Sequence, residues 1–165
     1  MPPLTTPEPG WTSVQPFPSL DSQSFLVANP SGESVRIAYF RRPESPVLHA
    51  RAWFGRETQG PPGHVHGGAM AAVLDEAMGG ACWMNGHRTV AAKISVSFLE
   101  MLKLETETTV EAQIERTDGR KIYLRAKMSD TSGTPIAEAD GLFIVLKDDA
   151  FKQKAPGKLQ YGREL

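Results

Sequence analysis

Between Thr89 and Leu146 the chain alternates apolar and polar residues through four successive runs. In Thr89 to Leu99, Ala92, Ile94, Val96 and Phe98 fall on one face and Ala91, Lys93, Ser95 and Ser97 on the other. Glu107 to Glu115 sets Val110, Ala112 and Ile114 against Glu111, Gln113 and Glu115, and Ile122, Leu124, Ala126 and Met128 form the inner face of a third run. Ile136 to Leu146 closes the set. A period of two predicts half-buried strands. Thr117-Asp118-Gly119-Arg120 and the segment from Asp130 to Pro135 carry the turn chemistry that joins them. Upstream, Ser24 to Phe40 reads as a hairpin: Phe25 to Ala28 as one strand, Asn29 to Glu33 as the turn, and Val35, Ile37 and Tyr39 alternating on the return. Val47 to Phe54 is a further strand candidate, and Thr58 to Gly63, with Pro61-Pro62, is a loop.

One stretch departs from this period. Gly63 to Met84 reads as a Gly/His loop running straight into a helix that starts near Gly68, with Asn85-Gly86 as its stop. Its only charges are Asp75 and Glu76, and a helix apolar nearly all round is a buried one. Gly68, Ala71, Ala72, Asp75, Gly79 and Cys82 follow the three-four spacing of a single helix face, and all but the Asp are small. The pair Gly79-Gly80 costs about 1 kcal/mol per glycine relative to Ala, which points to a packing or approach requirement. Strands with one apolar face need a cover, and this helix is the one available. The pattern therefore predicts an α+β domain, an antiparallel β-sheet wrapped around one long central helix.

The chain has 165 residues, enough for one domain with a real core. Six prolines in residues 1–20 mark a linker-like or draping arm, with Trp11 and Phe17 as candidate anchors on the domain or on a partner. The expected organisation is a Pro-rich arm over residues 1–22, the domain over 23–148 and a mobile tail over 149–165. A net charge of −1 gives no electrostatic case for nucleic acid or an anionic membrane. There is one Cys and no apolar run of transmembrane length, and the N-terminus does not read as a signal peptide, so a cytoplasmic protein is expected.

A lone carboxylate among small apolar residues is expensive to bury and needs a structural or chemical reason. A helix N-terminus offers free N–H groups and a positive dipole end to an oxygen that becomes negative, and Gly67 and Gly68 have no side chain to block its approach. Asp75 then supplies an attacking carboxylate or a general base. Seven residues of helix span about 10 Å, so a group held at Gly68 does not touch Asp75 of the same helix. If both act on one substrate, the site is shared between two protomers. His66 either orients the substrate or holds the loop at the helix start. Glu76 points about 100° from Asp75 and reads as structural. His64, His66, Cys82 and His87 lack the spacing of a metal motif, so no metal is expected. There is also no phosphate-binding Gly-rich loop or dinucleotide fingerprint.

His66-Gly67-Gly68, Asp75 nine residues after the His, and the strands that follow resemble the PaaI-like and THEM-like hotdog acyl-CoA thioesterases over about residues 24–147. The resemblance implies the hotdog fold and hydrolysis of an acyl-CoA thioester in a homodimer or homotetramer. It implies that the Gly68 N–H polarises the thioester carbonyl and that coenzyme A enters only as part of the substrate, with no other cofactor. Coenzyme A carries three phosphates and calls for a basic rim. Arg120 and Lys121 are the first candidates, a Gly-Arg-Lys turn standing in a similar place in relatives, and Arg88 and Lys93 the second. Two departures stand out. Ala91 occupies a position where relatives often place a Thr that positions water or carboxylate, with Thr89 the nearest substitute. Phe98-Leu99-Glu100-Met101 lacks the Arg-Pro pair that often follows the aromatic. The rival readings are a hydratase on the same fold, whose Asp/His motif is not found, and a non-catalytic acyl-CoA-binding or regulatory hotdog protein.

Overall fold

The structure, a computed structural model, describes residues 7–18, 25–26 and 32–147. Its elements are β1 (Thr12–Ser13), β2 (Val35–Arg41), β3 (Leu48–Phe54), a 3-10 turn at Arg56–Thr58, α1 (Gly67–Met84), β4 (Thr89–Phe98), β5 (Thr106–Asp118), β6 (Lys121–Asp130) and β7 (Pro135–Val145). The strands form one seven-stranded sheet in the order β1-β2-β3-β5-β6-β7-β4, every pair antiparallel. The sheet curls about α1, which touches β3, β4, β5, β6 and β7. Among the described residues no helix is long and apolar enough to cross a membrane.

The alternation seen in the sequence is the inner and outer face of the sheet. Val110, Ala112, Ile122, Leu124, Ala126, Met128, Ala137, Ala139 and Phe143 are buried against Val73, Leu74, Ala77 and Met78 of the helix. Gly141 continues this face because a Cβ there would sit 2.8 Å from both the Met78 sulfur and the Phe143 ring. At the β5–β6 turn, Gly119 takes φ +56, a left-handed backbone that glycine adopts without strain.

Three expectations change. The hairpin partner of β2 is β3, with Tyr39 opposite Ala50; Phe25 and Leu26 lie in a turn, and the rest of the proposed upstream strand falls outside the described residues. On β4, a bulge at Ala92 reverses the facing. Ala91 pairs with Phe143 and Lys93 with Leu142, so Thr89 and Ala91 share the inner face with Ile94, Val96 and Phe98. One extra residue is enough for this, because each step along a strand flips the side chain. Finally, α1 is buried over Ala77–Cys82 but half-exposed at Ala71, Ala72, Asp75 and Glu76, so within one chain the sheet leaves part of its first half open.

Residues 7–18, the described part of the arm, pack on the sheet. Thr12 and Ser13 pair with Arg41 and Phe40 at the sheet edge. Trp11 then lies on the outer face, its ring 4.6 Å from His49 and 5.4 Å from Phe40, while Phe17 turns inward to Tyr39 and Trp83. The proposed tail over 149–165 lies outside the described residues.

Candidate active site

The loop before α1 is pinned by backbone bonds. Val65 N–H donates to Leu102 O at 2.8 Å, and His66 N–H donates to Thr58 O at 2.7 Å. This fixes His66 as the N-cap, and its Nδ1 accepts the Gly68 N–H at 2.8 Å. Nδ1 is therefore the unprotonated ring nitrogen, and Nε2 carries the hydrogen on an exposed ring. The sequence left His66 between orienting substrate and holding the loop; the structure gives it the holding contact. It also means that the Gly68 N–H at the helix start is engaged by an exposed side chain.

Beside this N-terminus lies an open groove of about 340 Å3, lined by Pro61, His64, Gly67, Met70 and Phe98 to Met101. A Cβ on Gly67 would lie 3.1 Å from the Phe98 ring, so the glycine lets the aromatic approach the helix start. Phe98, Leu99 and Met101 are 51%, 49% and 61% exposed. The apolar run after the strand was the sequence signal for this wall, which the strand reading alone passed over.

Asp75 stands on the open stripe of α1, midway along the helix. Its Oδ1 is buried without a hydrogen-bond partner, and desolvation raises its pKa from the ordinary 3.8. Glu76 is raised too, first by burial and then by the Asp75 charge, while the Tyr39 hydroxyl beside it acts in the opposite direction. Glu76 thus has a neighbour within the fold, and Asp75 is the carboxylate left over. Along the helix Gly68 and Asp75 are separated by about 10 Å, so one chain does not bring them together on a single atom.

Thr89 sits at the far end of the helix. Its carbonyl accepts from Trp83 Nε1 at 3.4 Å and its hydroxyl lies by Cys82, a buried thiol pushed up to about 11 by burial. Cys82 is two helical turns past Asp75, so Thr89 is not beside the carboxylate of its own chain. Ala91 offers only a methyl group on the inner face. His64 Nδ1 is bonded to Pro62 O at 2.9 Å, before the start of the helix and away from Cys82 in its last turn.

The basic candidates divide. Val145 N–H donates to Arg120 O and Leu146 N–H to Arg88 O, both at 2.8 Å, which gathers Arg88, Arg120 and Lys121 at one corner of the sheet. The Arg120 side chain also bonds Val145 O at 3.0 Å, and Lys121 is exposed. Lys93 stands apart, mid-strand on the outer face. The corner lies at the Thr89 end of β4 and the groove at the Phe98 end. Ten residues of strand separate them, roughly 30 Å. Within one chain the basic corner and the helix N-terminus are not one site.

Comparisons with known proteins agree with this architecture. Residues 62–137 match the family model described as the thioesterase superfamily. The acyl-coenzyme A thioesterase THEM4 of Bos taurus is 36% identical over 93 residues, which are 56% of this chain and 38% of that protein, so the chain aligns with well under half of the relative's length. The structure of E. coli PaaI, from the phenylacetic acid degradation operon, superposes with a TM-score of 0.62 at 16% identity, covering 67% of this chain and 80% of PaaI. A hypothetical thioesterase from Streptococcus pneumoniae, solved with coenzyme A, gives 0.61 at 16% identity, covering 68% and 89%. The stretch from 62 to 137, which holds the Gly/His loop, the whole of α1 and Asp75, is similar to the thioesterase superfamily, and the chain carries the hotdog fold.

Proposed function

We propose that this protein hydrolyses acyl-CoA thioesters to the free acid and coenzyme A, in composite sites formed between two copies of the chain. The observation that carries the reading is Asp75: a carboxylate with a buried, unpartnered oxygen on the open, small-residue stripe of the helix that His66-Gly67-Gly68 begins. THEM4, similar to this chain over 93 residues, is an acyl-coenzyme A thioesterase, and the S. pneumoniae neighbour was solved with coenzyme A.

The need for a second copy follows from geometry. β4 is an edge strand, and it and the loop after it hold Val90, Ile94, Phe98, Leu99 and Met101, five of the six exposed large hydrophobic residues among those described. A long apolar edge is a template for another strand. Pairing β4 with β4 of a second copy about a two-fold axis makes the strands antiparallel. The Thr89 end of one then meets the Phe98 end of the other. This brings the basic corner of Arg88, Arg120 and Lys121 of the partner subunit towards the groove at Gly68, and lets Asp75 of the partner subunit face the Gly68 N–H. Dimers of such dimers would retain the same two sites.

In that setting the carbonyl oxygen takes the Gly68 N–H from the His66 ring. The Asp75 carboxylate attacks the carbonyl carbon itself or removes a proton from an attacking water. By the water route, hydroxide adds to the carbon and the oxygen becomes negative against Gly68 N–H and the helix dipole. Collapse breaks the C–S bond, and the departing thiolate takes back the proton from Asp75. The phosphates rest on the Arg/Lys corner, with Lys93 too far out on the strand face to share it. A non-catalytic acyl-CoA-binding protein is the second reading, favoured by the engaged Gly68 N–H and by Ala91 where relatives often have Thr.

Thiol release from short, long and aryl acyl-CoAs, measured for wild type and Asp75→Asn, tests the proposal. Turnover that collapses in the variant supports it. Binding of the esters without turnover in either protein moves the assignment to the second reading.

A further inference from the structure

The open stripe of α1 stops abruptly. Ala72, Asp75 and Glu76 are half-exposed, yet Gly79, on the same row one turn beyond Asp75, is buried although it has no side chain of its own. The cover comes from Phe143 and Leu48 of the sheet and, beside them, from the arm. A Cβ on Gly79 would lie 3.8 Å from two carbons of the Phe17 ring, and one on Gly80 would lie 3.5 Å from Phe17 Cζ and 3.4 Å from Pro16 Cγ. The Phe17 ring stands edge-on to Tyr39 and tilted to Trp83, each with centroids 6.2 Å apart. Phe17 is itself only half-buried, so the core does not cover the ring on every side. Strand β1 and the Trp11 stack on the outer face hold the arm in this place.

We propose that Phe17 is the end wall of the acyl subsite and limits the length of the acyl group. The inference rests on the thioesterase reading. With the carbonyl held at Asp75, the row has an apolar wall at each end. Towards the helix N-terminus lies the open groove of Met70 and Phe98 to Met101, which sets no limit of length, whereas towards the C-terminus the row is closed by Phe17, Phe143 and Trp83, and the acyl group runs to this closed end. A single helical turn, about 6 Å, separates Asp75 from Gly79. A short chain or one aromatic ring fits that distance, and a long acyl chain meets the Phe17 ring. The small residues of the row supply the slot, and a side chain from outside the helix closes it.

Two substitutions move the wall in opposite directions. Phe17→Ala removes it. Gly79→Ala narrows the slot, its methyl group meeting Phe143 at 3.6 Å and Phe17 at 3.8 Å, which are ordinary contacts that need no rearrangement. The measurement is kcat/KM over a series of acyl-CoAs from acetyl to palmitoyl, with phenylacetyl and benzoyl esters, and with thermal melts of each protein. Phe17→Ala is expected to raise long-chain relative to short-chain kcat/KM by about tenfold or more, and Gly79→Ala to lower it, in line with what a methylene-sized change of pocket is worth. Parallel profiles for all three proteins overturn the end wall and leave the thioesterase reading standing. Gly79→Ala, which leaves the arm in place, decides the matter if Phe17→Ala melts too low to assay. A wild-type protein inactive on every ester overturns both.

Discussion

The two halves of α1 are built from the same kind of residue and do opposite things. From Gly67 to Glu76 the face carrying Gly68, Ala71, Ala72 and Asp75 is half-exposed; from Ala77 to Cys82 every residue is buried. In the second half the glycines serve packing. A Cβ on Gly80 would come within 2.8 Å of Leu48 Cδ2, with Pro16 and Phe17 close behind. In the first half, a Cβ on Gly67 or Gly68 would meet only the exposed rings of Phe98 and His66. Small residues by themselves do not tell packing from access; what stands opposite them does. Opposite Gly80 is a filled core, where interiors are close-packed and extra atoms are felt. Opposite Ala72 and Asp75 there is room, and a carboxylate oxygen without a partner.

The largest expected effect lies in the open half. Asp75→Asn keeps the shape and removes the base or nucleophile, so kcat/KM should fall by about 10^2 to 10^4-fold. The pH profile sharpens this. Because burial raises the Asp75 pKa, the carboxylate forms only above the ordinary value of 3.8, and the acid limb of kcat/KM should rise at a correspondingly higher pH. The same shift bears on stability with the opposite benefit. A carboxyl whose pKa is raised by folding favours the fold while protonated, and that contribution is lost as pH rises through its folded-state pKa. Melting curves of wild type and Asp75→Asn should therefore converge at acid pH and separate towards neutrality, with the Asn protein the more stable. A profile with no such separation would mean that a partner group meets the carboxylate in solution.

In the filled half the expected effect is on stability. Gly80→Val drives atoms into Leu48 and Pro16 and should cost about 1–3 kcal/mol by urea unfolding. Ala72→Val, at a half-exposed position, should cost only roughly 0.5 kcal/mol, the ordinary helix preference of a β-branched residue. Equal losses at the two positions would remove the distinction between the halves.

The helix and the sheet were legible because their signals are local. His66 before two glycines, an apolar run and Asn85-Gly86 mark the ends of α1 within a residue, and period-two runs mark β5 to β7. The Ala92 bulge was not legible: alanine fits either face, so nothing in Val90 to Lys93 shows where the alternation slips. The pairing of β2 with β3 was hidden by good turn chemistry at Asn29 to Glu33, which is local and competes with the long-range choice. The arm carried a usable signal in Trp11 and Phe17, two large aromatics in a proline-rich segment, but nothing in it named Gly79 and Gly80 as the surface that receives Phe17. Asp75 was legible as an unexplained charge. The separation of the helix N-terminus from the basic corner was not, since the distance from Gly68 to Arg120 depends on how the whole sheet is ordered.

The smallest effect concerns the cap that separates the open half from its ligand. His66→Ala removes the acceptor of the Gly68 N–H and should lower stability by about 1 kcal/mol, as loss of an N-cap does. Urea unfolding reads this directly. The variant also leaves the Gly68 N–H without its intramolecular acceptor. If the thioester carbonyl must take that N–H from His66, as the proposed reaction requires, KM for an acyl-CoA should fall or stay level even as the fold weakens. A rise in KM with kcat unchanged would instead place His66 among the groups that bind the substrate. Stability and affinity moving in opposite directions at one residue would set the open end of the helix apart from its packed end, where every loss of fit is also a loss of fold.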